Sequence, residues 1–193
     1  LFGWRYYVEQ NNTQSVMASD LYMQILQGTN SGNIDDKTID IHNQLINDYS
    51  STPYASLASL ALAKTEYDKN NTDGAVAQLE LAVKHANDEV IRQIANLRLV
   101  RVYIEQKKFD EAMAILNMKH APAYDAQYEE LKGDLYNAQG DIAQARLAYD
   151  KAIELQGIAA SKWLRLKRQN LGQGSPAAED LSASSNAGNS LNL

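Results

Sequence analysis

The sequence predicts an all-α fold: an α-solenoid of about four helical hairpins, closed by a C-terminal capping helix. Three observations carry that expectation. Only three of the 193 residues are Pro, while Ala, Leu, Gln and Asn abound, which favours helix. Apolar residues recur at three- and four-residue steps in successive segments. Ala75, Ala112 and Ala145 hold equivalent places in three of those segments, 37 and then 33 residues apart. Such a near-constant stride marks a repeated two-helix unit.

The elements follow in chain order. A first helix is expected from about Glu9 to Leu26, with Ala18, Leu21, Tyr22 and Ile25 on one face. Gly28 to Asn33 reads as a turn. Ile34, Thr38, Ile41, Leu45 and Tyr49 then mark a second helix. Ser50-Ser51-Thr52-Pro53 ends it and starts another, with Ser51 or Thr52 as cap and Pro53 at the first helical position. The next hairpin, Tyr54 to about Ala86, turns at Asn70-Asn71-Thr72-Asp73-Gly74 and carries Leu62, Ala63, Ala75, Leu79 and Ala82. The third, about Val90 to Met118, turns at Lys107-Lys108 and carries Leu99, Tyr103, Phe109, Ala112 and Leu116.

The fourth hairpin, Tyr128 to Leu155, is the plainest. Gly133, Tyr136, Gly140, Ala145, Tyr149 and Ala152 fall at G-x2-Y-x3-G-x4-A-x3-Y-x2-A. This spacing resembles the tetratricopeptide repeat, a two-helix unit of about 34 residues. The small residues let paired helices press together, and Tyr136 and Tyr149 are expected to fill the space between neighbouring hairpins. A last helix, Ile158 to Leu171, carries Trp163 and the basic group Lys162, Arg165, Lys167 and Arg168. A polar outer face on a terminal cap and the helix dipole explain that group without an anionic-lipid site. From Gly172 the chain is a Ser/Asn-rich tail, expected to be disordered because it cannot bury enough apolar surface.

Composition excludes several kinds of function. The net charge is −6 and the pI about 5.0, a poor match to nucleic acid, which calls for a basic stripe. With no cysteine, disulfides, thiolate chemistry and zinc–thiolate sites fall away together. His42, His85 and His120 each stand alone on a different hairpin, without a His or Cys partner one helical turn away. The loop Asp68 to Gly74 places Gly74 at position 7, where a calcium loop needs glycine at 6. Gly172-Gln173-Gly174-Ser175 lacks the preceding strand of a phosphate cradle. No catalytic residue, metal site, cofactor or small-molecule substrate is expected.

Repeats of this kind hold other proteins. Their first helices line the concave side, which places Leu60, Lys64 and Tyr67, then Leu97, Arg101 and Ile104, then Glu130, Asp134 and Asn137 along one protein-binding groove. The order is apolar with a basic step and an acidic end, suited to an extended or helical segment with apolar anchors.

The stretches Leu57-Ala58-Ser59-Leu60-Ala61-Leu62-Ala63-Lys64, Ala95-Asn96-Leu97-Arg98-Leu99-Val100-Arg101-Val102 and Gly133-Asp134-Leu135, with Gly3-Trp4-Arg5-Tyr6 ahead of them, give the chain a resemblance to the YfgM-like ancillary subunits of the SecYEG translocon. It covers roughly residues 1–171. It implies a single-pass inner-membrane protein with this domain in the periplasm, bound to the translocon and to a membrane-anchored periplasmic chaperone of the PpiD type. The opening Leu1-Phe2-Gly3-Trp4-Arg5-Tyr6-Tyr7-Val8 suits either the start of a buried N-terminal helix or, because Trp and Tyr beside Arg mark a lipid–water boundary, the end of a membrane helix, and the resemblance favours the second. Residues 1–8 are thus expected to be the periplasmic end of a removed membrane helix, 9–171 the repeat domain and 172–193 the tail, which departs from the family pattern. The alternative is a soluble tetratricopeptide scaffold, in envelope assembly or in the cytosol.

Overall fold

Nine α-helices and no strand are found among the described residues of the computed structural model, which covers residues 2–32 and 34–172, with side chains from residue 13 onward. They are α1 (Phe2–Asn30), α2 (Asp36–Asp48), α3 (Tyr54–Asp68), α4 (Thr72–His85), α5 (Glu89–Glu105), α6 (Phe109–Leu116), α7 (Asp125–Gln139), α8 (Ile142–Gln156) and α9 (Lys162–Asn170). The side chains of the expected membrane-helix remnant, 1–8, and the expected tail beyond residue 172 lie outside the described residues.

Short polar side chains start most helices by accepting from amides that a first turn leaves unpaired. Asp35 accepts from Thr38 N at 2.8 Å, Asp88 from Val90 N at 2.8 Å, Asp141 from Gln144 N at 3.0 Å and Ser161 from Leu164 N at 3.0 Å. Helix α3 differs from expectation. Neither Ser51 nor Thr52 caps it; Pro53 sits at the cap without a side-chain bond. The Thr52 hydroxyl instead donates backwards to Tyr49 O at 2.7 Å, closing the end of α2. The first helix is also longer than expected at both ends. A lone Gly3 costs a helix only about 1 kcal/mol and does not stop it. At the far end Thr29 Oγ1 donates to Leu26 O, and the chain breaks only at Gly32, where φ is +70°.

The chain divides into two compact units, Leu1–Lys108 and Phe109–Leu193. In the first, α1 packs on α2 and α3, α3 on α4, and α4 on α5. Its core joins Ala18, Ile25, Leu45, Ala55, Ala58 and Leu62. The alanines there are fully buried, so these backbones approach closely. In the second, α6 packs on α7, α7 on α8, and α8 on α9. Tyr149, Ala152 and Leu164 form a core cluster there. Tyr149 sits against Gly133 of its own hairpin, where a Cβ would overlap its ring. Tyr149 thus fills space inside its own pair, which the missing side chain at Gly133 opens, as well as packing with Leu164 of the following helix.

Candidate functional site

One stripe of α3 and one of α5 face a common cleft in the first unit. Leu60, Ala63, Lys64 and Tyr67 recur on α3 at the three- and four-residue steps that share a helix face, as do Arg98, Arg101 and Val102 on α5. Ala75 and Leu79 of α4, both buried, complete the lining. The cavity is about 350 Å³. Ala63 and Ala75 account for much of that room, since larger side chains would fill it.

The rim is charged. Lys64 pairs with Asp68 on its own helix. Tyr67, 44% exposed, donates from its hydroxyl to Glu105 Oε2 at 2.7 Å. That bond to a carboxylate, aided by burial, raises the phenol pKa above its usual value. Arg101 Nη1 reaches only Leu97 O of its own helix, at 3.3 Å. Arg98 is exposed and has no ion pair among the described residues. The arrangement offers apolar burial beside guanidinium groups that have no ion pair among the described residues.

The structure brings Leu60, Lys64, Tyr67 and Arg101 to this cleft, joined by Arg98, Ala63, Ala75, Leu79 and Val102. Leu97 is buried and Ile104 half-buried, and neither belongs to the lining. In the second unit Asn137 is exposed on α7. There Glu130 and Asp134 face Lys167 of α9, whose Nζ lies 2.9 Å and 2.8 Å from them. Arg168 reaches Asp150 at 2.7 Å, so these two cations of the capping helix hold it to the hairpin below. Arg98 carries a sequence signal, standing three residues before Arg101 on the same helix face.

The histidines are built into the packing. His42, 3% exposed, shares a 2.8 Å hydrogen bond with Ser59. The Ser59 hydroxyl donates to Ala55 O, so the imidazole is the donor to Ser59. Burial, and secondarily the nearby His85, lower the His42 pKa to about 4. The two rings thus sense each other, although they belong to different hairpins. His120 stacks on Tyr128 at 3.7 Å between centroids and lies 3.1 Å from Asp125. Among the described residues no three acidic or histidine side chains cluster as metal ligands would. The loop from Asp68 is a helix turn in which Asn71 accepts from Gly74 N at 3.1 Å.

A family model described as a tetratricopeptide repeat-like domain matches residues 1–173. The ancillary SecYEG translocon subunit of Escherichia coli (strain K12) is 30% identical over 172 residues, which are 89% of this chain and 82% of that protein. The chain belongs to the tetratricopeptide-repeat-like family of ancillary SecYEG translocon subunits. The relative of the same name from Haemophilus influenzae is 29% identical over 89% of this chain and 83% of its own length. That from Neisseria gonorrhoeae is 32% identical over 61% of this chain and 57% of its own. No solved structure matches. Membership makes the chain a protein-interaction module of a non-catalytic family.

Proposed function

We propose that this chain is the periplasmic domain of a single-pass inner-membrane adaptor that serves the SecYEG translocon together with a membrane-anchored periplasmic chaperone of the PpiD type. The observation that carries the reading is the match to proteins named ancillary SecYEG translocon subunit across 89% of this chain. The cleft supports the interaction part. Its proposed binding residues are Leu60, Lys64, Tyr67 and Arg101. No helix among the described residues is long and apolar enough to cross a membrane.

The test is co-purification of the intact protein from gently solubilised inner membranes, followed by mass spectrometry. The expected result is enrichment of translocon subunits and of a PpiD-type chaperone. Recovery in the soluble fraction, with neither partner enriched, would contradict the proposal.

A further inference from the structure

The cleft between α3, α4 and α5 has a charge opposite to that of the chain around it. The protein carries −6 overall, yet the lining holds three cations, Lys64, Arg98 and Arg101, and no carboxylate. Of the nearby acids, Asp68 is paired with Lys64, while Glu105 accepts from the neutral Tyr67 hydroxyl and keeps its charge. Arg98 and Arg101, three residues apart on α5, have no ion pair among the described residues and are both exposed. Between them and α3 lies a cavity of about 350 Å³, floored by the buried Ala75 and Leu79. That is room for an apolar side chain or two, at the lower end of ligand-sized pockets.

We infer that the cleft is a docking site for an acidic–apolar protein segment: one apolar anchor seated between Leu60, Ala63, Ala75 and Leu79, with carboxylates beside it on Arg98 and Arg101. Guanidinium groups suit this, because their planar fork takes a carboxylate in two parallel hydrogen bonds. A basic segment would face two cations that have no ion pair among the described residues. A neutral apolar one would fill the cavity and leave them unused. The inference rests on the protein-interaction reading of this domain and adds the chemistry of the occupant.

The experiment uses three fluorescein-labelled twelve-residue peptides and the full chain, with binding read by anisotropy at low and at moderate salt. The first peptide places Leu and Phe beside Glu and Asp; the second replaces every acid by Lys; the third replaces Leu and Phe by Ala. The first is expected to bind about tenfold or more tighter than either other, and to weaken as salt is added. In the double variant Arg98→Glu, Arg101→Glu, checked for unchanged helicity, the acidic peptide should lose about tenfold and the Lys peptide should overtake it. Three things would each overturn the inference: equal binding of all three, an unchanged preference in the double variant, or no peptide binding while laurate saturates the cleft. These outcomes are independent of co-purification. An adaptor that holds its translocon partners but ignores the acidic peptide keeps its proposed function and loses this site.

Discussion

Gly133 illustrates how one absent side chain sets a helix pair. A Cβ there would meet the ring of Tyr149, a fully packed residue whose hydroxyl donates to Asp134 Oδ1 at 2.7 Å. Burial first, and then that bond, push the phenol pKa up. Gly→Ala inside a helix ordinarily stabilises by about 1 kcal/mol. At Gly133 the sign should reverse, with thermal melting showing a loss of about 1–3 kcal/mol from overpacking. His42 gives a second residue-scale expectation. Its folded pKa, about 4, lies below the ordinary 6.5, so the unfolded chain takes up the proton first. Stability from this site is complete above pH 6.5 and is lost as pH falls toward 4, by on the order of 3 kcal/mol. Urea melts across that window should show the fall, and His42→Gln should remove most of it. Gly133 was legible because its place in the repeat demands a small residue. The His42–His85 proximity was not, because it depends on how α2 and α4 each pack on α3, which no local spacing encodes.

Helix turns repeat as faithfully as the alanines do. Asn70, Lys107 and Gly140 have φ of 60°, 58° and 83° and keep the same stride of 37 and 33 residues. After each, the next amide bonds back to a carbonyl five residues earlier: Asn71 N to Glu66 O, Lys108 N to Tyr103 O, Asp141 N to Tyr136 O. This six-to-one bond closes a helix through a left-handed residue. Only the last repeat places glycine there. Gly140→Ala should therefore cost about 1 kcal/mol, while Lys107→Gly should stabilise by up to about 1 kcal/mol, both read from melting curves. Hairpin positions were legible from periodicity and from turns rich in Asn, Asp and Gly. Helix ends were less so, since a single glycine at 3 or 28 does not break a helix and Thr52 serves α2 instead of α3. The face of α7 was legible only in part: Glu130 and Asp134 read as free acids until Lys167, on a helix three dozen residues away, is brought against them.

Across the whole molecule, the fold class follows from the stride of the repeat and the function from what the repeat leaves exposed. A chain of −6 gathers cations at the cavity of its first unit, while Asp35, Asp88 and Asp141 cap helices and Glu130 and Asp134 pair with Lys167. Periodicity could show that Lys64 and Arg101 lie on inward stripes. The same spacing places Arg98 beside Arg101, but periodicity could not show which cations find partners. The central claim is that this domain holds translocon-associated partners through that cleft. The most direct test compares co-purification from inner membranes for the intact protein and for a Tyr67→Ala, Arg101→Ala variant of unchanged helicity. Loss of translocon subunits and chaperone from the variant alone is the predicted result, and equal recovery from both would contradict it.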